Sequence, residues 1–194
     1  MRFFDGAAVD AALGYPGLVD ILEAAFIKGA IAPPRHHHGV ALDGLPEATL
    51  LLMPAWEAQP AGSAFAGRFM GVKTVTIFPD NDARGKPAVF GTYILLSAET
   101  GELLSVMDAT RLTAWRTAAA SALASRSLSR PDSARLLMVG AGALAPFLIR
   151  AHASVRSIRE IMIWNRSQPR AQALVSTLAK FGMTAKIVTD LASA

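Results

Sequence analysis

Residues 134–167 constrain what this chain can fold into more than any other stretch. Ala134–Val139 (ARLLMV) is a short apolar run bounded by polar residues, the pattern of a buried strand. Gly140-Ala141-Gly142-Ala143-Leu144-Ala145 follows at once, a G-x-G-x-x-A pattern, and Leu144, Phe147, Leu148 and Ala151 then recur at helical spacing. A second strand pattern, Glu160–Trp164, runs into Asn165-Arg166-Ser167. Strand, glycine turn, helix and strand within about thirty residues make the first half of a dinucleotide-binding unit.

The small residues of that turn each have a physical task. Gly140 permits the tight bend out of the strand, Gly142 lacks the Cβ that would block a pyrophosphate, and Ala145 lets helix and strand approach closely. The anion then rests on the unpaired N–H groups of the helix start. The end of the second strand bears on which nucleotide is taken. An acidic residue there would accept hydrogen bonds from a ribose 2′-OH and repel a 2′-phosphate. Asn165, Arg166 and Ser167 stand there instead, a neutral group, a cation and a hydroxyl, a set that favours NADP over NAD.

Composition excludes several classes. The 194 residues allow one large or two small domains, and 52% hydrophobic content with a mean hydropathy of +0.35 indicates a globular chain. The net charge of +4 comes from scattered basic residues, without the stripe or aromatic interleaving of a nucleic-acid surface. No cysteine is available for disulfides or thiolate metal sites. The N-terminus lacks a signal peptide's apolar region, and the run Leu136–Ile149 is too short to cross a bilayer. A cytoplasmic protein with no nucleic-acid or membrane partner is the expectation. Ala134–Ala194 holds 61 residues, enough for two or three strands. A complete doubly wound sheet has about six, so either the sheet is small or the chain stops partway through it.

Ahead of that stretch, Pro16–Lys28 reads as an amphipathic helix with Leu18, Ile21, Leu22, Ala25 and Phe26 on one face and Gly29 closing it. His36, His37 and His38 lie in an extended polar segment, where neighbours point to opposite sides, so they do not all ligate one ion and no metal site is expected. Thr49–Met53 and Phe69–Phe78 are strand patterns. In the second, Phe69, Gly71, Lys73, Val75 and Ile77 share a face, which sets one ammonium in an apolar row. Pattern alone admits two readings of Lys73: it meets a carboxylate, or it snorkels from a sheet edge. Thr92–Ser97 and Glu102–Asp108 read as a hairpin, and the lack of intervening helices makes this half antiparallel α+β. A helix over Thr110–Ser129, stopped by Pro131, carries Arg116 on a face with Leu112, Ala119, Ala120 and Leu123. Its guanidinium is suited either to a carboxylate ligand or to an ordinary Arg–Asp pair. A second helix pattern, Pro169–Lys180, and a strand pattern, Thr184–Val188, end the chain.

LLLMPAW (50–56), GVKTVTIFPDN (71–81), GTYILLSAETGELLSVMDATRLTAWRTAAASALAS (91–125) and VGAGALAPFLIRAH (139–152) together resemble the ornithine cyclodeaminase/mu-crystallin family over almost the whole chain. The resemblance implies a nicotinamide cofactor acting on 2-amino or 2-imino acids. It implies Lys73 and Arg116 as catalytic residues, with Arg35, Lys73 and Arg116 holding the substrate carboxylate. It further implies Arg116, Thr117, Gly140, Gly142, Ala143, Leu144, Asn165, Arg166 and Ser167 at the cofactor. Ala88 stands where many relatives carry a hydroxyl that touches the cofactor, and the family's acid/base aspartate would lie beyond Ala194, so the chain resembles a fragment.

The resulting expectation is an α/β fold. An antiparallel α+β substrate-binding and dimerisation domain would span 1–130, and a truncated Rossmann NAD(P)-binding domain 131–194. The expected function is an NAD(P)-dependent enzyme of small amino or imino acids, first an ornithine cyclodeaminase. A ketimine (pyrroline-2-carboxylate type) reductase, an alanine dehydrogenase, and a non-catalytic crystallin-like protein or inactive fragment are the alternatives. The resemblance also implies a homodimer.

Overall fold

The computed structural model describes residues 1–58 and 68–191. The chain divides into two compact units, Met1–Leu13 with Ala24–Thr113, and Gly14–Glu23 with Ala114–Ala194. The first unit is built on a seven-stranded sheet. Its strands are β1 (Arg2–Phe4), β2 (Ala30–Ile31), β3 (His36–Val40), β4 (Ala48–Glu57), β5 (Phe69–Ile77), β6 (Val89–Ser97) and β7 (Leu103–Asp108). The order is β1-β7-β6-β5-β4-β2, with β3 also on β4. Every pairing is antiparallel except that of β1 with β7, an N-terminal strand too short to show a period in the sequence. Both β2 and β3 pair along the same side of the long β4, at Trp56–Glu57 and Ala48–Leu52. Pro54 falls in the gap between them, where the ladder on that side asks for no donor. The histidines lie in β3, with the rings of His36 and His38 on one face, 6.4 Å apart. Among the described residues no group of three or more His, Cys, Asp or Glu side chains is placed to hold a metal ion.

Helix α1 (Gly6–Ala12) packs on β7, its start capped by Asp5, whose carboxylate accepts from the Ala8 N–H at 2.8 Å. Helix α2 covers Tyr15–Lys28, and the β5–β6 connection forms a 3-10 turn at Pro79–Arg84. The long helix α3 (Ala109–Leu128) begins in the first unit and continues into the second. No helix among the described residues is long and apolar enough to cross a membrane.

The second unit holds a three-stranded parallel sheet in the order β10-β9-β8, made of β8 (Arg135–Val139), β9 (Glu160–Trp164) and β10 (Lys186–Ile187). Helices α4 (Ala145–Val155) and α5 (Gln168–Ala179) connect them. Period-two alternation puts Ile161 and Ile163 of β9 on one face, and Leu136 and Met138 of β8 beside them. Ala145 and Ile149 of α4 and Ala171, Leu174 and Leu178 of α5 complete that core. Val139, on the other face of β8, is 55% exposed. Helix α3 runs alongside α4 in the same direction: Trp115 meets Phe147 edge-on at 6.0 Å, Ser121 meets His152, and Ser125 meets Arg156. The core-facing residues of α3 are Trp115, Ala118, Ala119 and Ala122, small enough after the first to let the helix axes approach.

Candidate functional site

In the first unit, Lys73 sits mid-strand in β5, opposite Met53 of β4 and Tyr93 of β6, and is half-buried. Tyr93 lies over Gly71: a Cβ at position 71 would collide with the Tyr93 hydroxyl and stand 3.0 Å from the Ile94 carbonyl oxygen. Gly71 is therefore required for close approach, and it lets a phenol lie beside the lysine. Burial pushes the Tyr93 phenol above its usual pKa, so it stays protonated at neutral pH. Tyr93 went unmarked in the sequence because strand register, not spacing, makes it Lys73's neighbour. Arg35 directly precedes β3, where His36 pairs with Leu52. Leu52 is one step along β4 from Met53, the partner of Lys73. A cavity of about 480 Å³ also belongs to this unit, but Phe4, Val9, Leu95, Met107 and Leu112 make it apolar, and it brings together no catalytic groups.

In the second unit the glycine turn is tied to the end of β9. The Gly140 N–H donates to the Trp164 carbonyl at 2.8 Å, and the Ala141 N–H donates to Asn165 Oδ1 at 3.2 Å. Gly140 has φ +107°, a conformation that L side chains rarely adopt, so the bend requires glycine. Among the described residues, the N–H groups of Gly142, Ala143 and Leu144 take no partner, and α4 then begins with the Ala145 N–H on the Gly142 carbonyl at 3.0 Å. No side chain caps α4, and an ideal Cβ at Gly142 meets nothing within 4 Å. Three consecutive amides without a partner thus stand at a helix N-terminus, beside the open face of Gly142, a combination that suits phosphate oxygens.

The β9–α5 turn lies beside this loop. Asn165 Nδ2 donates to the Ser167 carbonyl at 2.8 Å, while Arg166 is exposed and Ser167 half-buried at the start of α5. Arg116 and Thr117 follow Trp115 on α3, whose ring meets Phe147 of α4. Arg116 is exposed; of the residues the sequence grouped with it, Ala119 alone is buried, because the core side of α3 runs through Trp115, Ala118, Ala119 and Ala122. Arg150 of α4 stacks its guanidinium over the Phe181, Trp115 and Tyr15 rings at 3.9, 5.2 and 5.5 Å and stiffens this helix pair. The candidate residues thus gather into two sets, Arg35 and Lys73 in the first unit and the remaining nine in the second.

The model of the ornithine cyclodeaminase/mu-crystallin family matches residues 17–194. The chain belongs to that family. Protein SAR DEFICIENT 4 of Arabidopsis thaliana is 47% identical over 133 residues, 68% of this chain and 39% of the relative. A Δ1-pyrroline-2-carboxylate reductase of Colwellia psychrerythraea is 32% identical over 182 residues, 91% of this chain and 54% of the relative. The structure of the Thermococcus litoralis Δ1-pyrroline-2-carboxylate reductase in complex with NADH and L-proline aligns with a TM-score of 0.83 at 26% identity, over 98% of this chain and 58% of that one. A lysine cyclodeaminase structure aligns with a TM-score of 0.76 at 29% identity, over 97% of this chain and 56% of that one. The chain spans about half the length of the curated relatives it matches.

Proposed function

We propose that this family member serves an NAD(P)-dependent reductase of small cyclic 2-imino acids. In this reading residues 1–130 hold the substrate and a homodimer interface, and residues 131–194 begin the Rossmann cofactor domain. The observation that carries it is the glycine turn, whose three open amides and vacant Gly142 face fit a diphosphate. Arg166, exposed at the end of β9, and Ser167 favour NADP over NAD. Two curated relatives of different genera, from Colwellia and Paracoccus, are Δ1-pyrroline-2-carboxylate reductases, which favours imine reduction over the ornithine cyclodeaminase reading.

The bound nicotinamide would supply the hydride that adds to C2 of the imine, whose nitrogen would take up a proton from water. Lys73 would pair its ammonium with the substrate carboxylate, with Arg35, which the family resemblance marks, as a second cation. Arg116 would orient the carboxylate toward the cofactor from α3, with Thr117 beside it. The neutral Tyr93 phenol would confine the substrate next to Lys73. Holding the planar imino acid by its carboxylate sets C2 in a near-attack position, which is where positioning lowers the barrier.

The test is product analysis with Δ1-pyrroline-2-carboxylate and NADPH, against ornithine with catalytic NAD. Proline formation with stoichiometric NADPH loss is expected. Ammonia release from ornithine without net NADH would establish the cyclodeaminase instead. Lys73→Met is expected to raise KM for the imino acid by at least about tenfold, the loss of one charge-assisted contact.

A further inference from the structure

Position 165 is where an acidic residue would be introduced to turn an NADP site toward NAD, on the premise that its side chain faces the ribose. The hydrogen bonds say otherwise. Asn165 accepts from the Ala141 N–H at 3.2 Å and donates to the Ser167 carbonyl at 2.8 Å. The amide orientation is set by these partners, since a flip would oppose oxygen to oxygen and N–H to N–H. One side chain therefore bolts the glycine turn to the turn that carries Arg166 and Ser167.

We infer that Asn165 is a positioning residue that holds the diphosphate loop and the Arg166–Ser167 turn as one rigid anion seat. The inference rests on the proposed NAD(P) site. It follows from donor chemistry. A carboxylate at 165 still accepts from Ala141 but has no N–H for the Ser167 carbonyl, and its charge faces that oxygen. The turn then separates from the loop before any ribose contact is gained.

The experiment measures NADP+ and NAD+ binding calorimetrically on the full chain, and amide hydrogen exchange at Ala141 without nucleotide. Asn165→Ala is expected to weaken both nucleotides by the same factor, about tenfold for a lost pair of hydrogen bonds, and to speed exchange at Ala141. Asn165→Asp, which keeps the size of the side chain, is expected to lower NAD+ affinity as well. Arg166→Met is expected to lower NADP+ affinity alone. A gain in NAD+ affinity in Asn165→Asp, or a loss confined to NADP+ in Asn165→Ala, overturns the inference while leaving the cofactor site intact. Wild-type chain that binds neither nucleotide refutes the cofactor site itself; unchanged Ala141 exchange in Asn165→Ala then refutes the bolt separately.

Discussion

Replacing Arg156 with Met should cost the second unit more stability than any other single surface change. Arg156 follows α4 directly and turns its guanidinium onto the end of the parallel helix α3. It donates to the carbonyls of Ser125 at 3.0 Å, Arg126 at 2.7 Å, Ser129 at 3.0 Å and Arg130 at 3.1 Å, and to Ser129 Oγ at 3.0 Å. The Ser125 and Arg130 carbonyls also accept backbone N–H groups, from Ser129 at 2.9 Å and Ser133 at 3.1 Å, so Arg156 chiefly serves those of Arg126 and Ser129, where the negative end of the helix dipole lies. A hydrogen bond from a charged donor contributes about 1.5–3 kcal/mol, and the dipole term about 0.5 kcal/mol. Because Arg156 is only half-buried, water replaces part of this network when it is removed, so a loss of about 2–3 kcal/mol is expected. Methionine keeps the aliphatic stem, so packing changes little. Thermal unfolding followed by circular dichroism should show a Tm lower by about 5–10 °C for a chain of this size. Arg156→Lys keeps the charge without the planar fork and should recover only the dipole part. A methionine variant within about 1 °C of wild type, or a lysine variant equal to wild type, would refute the capping argument.

Three other outcomes are expected. Gly142→Val should abolish NADP+ binding while leaving Tm within the equivalent of about 0.5 kcal/mol, because the added Cβ meets only open space; an equal fall in stability would mean the glycine serves packing. Gly71→Ala should destabilise the chain by about 1–3 kcal/mol by driving Tyr93 off its seat, with partial rescue in the double variant with Tyr93→Phe. His152, half-buried beside Ser121 at 3.0 Å, has its pKa pushed below the usual histidine value by burial. Its neutral form is favoured in the fold, so the stability it contributes is present above about pH 6.5 and declines as pH falls from there through the lowered pKa. Tm measured against pH should therefore drop more steeply on acidification in wild type than in His152→Gln, and parallel curves would contradict this.

The strand–turn–helix–strand at Ala134–Trp164 was legible in the sequence because each of its signals is local. An apolar run makes the strand, Gly140 the bend, and helical spacing of Phe147, Leu148 and Ala151 the helix. Lys73 likewise stood out through period-two alternation along β5. What sequence spacing does not encode is which residue of another element stands opposite. Tyr93 beside Lys73 and Trp115 displacing Arg116 from the core face of α3 both depend on register and helix rotation, which long-range packing decides. Asn165 shows the difference most plainly. Its position at the end of β9 and the family resemblance marked it as a cofactor residue, and the structure adds two hydrogen bonds, to an amide twenty-four residues earlier and a carbonyl two residues later. Donor and acceptor chemistry was present in the sequence, but only the folded backbone determined which groups came within reach.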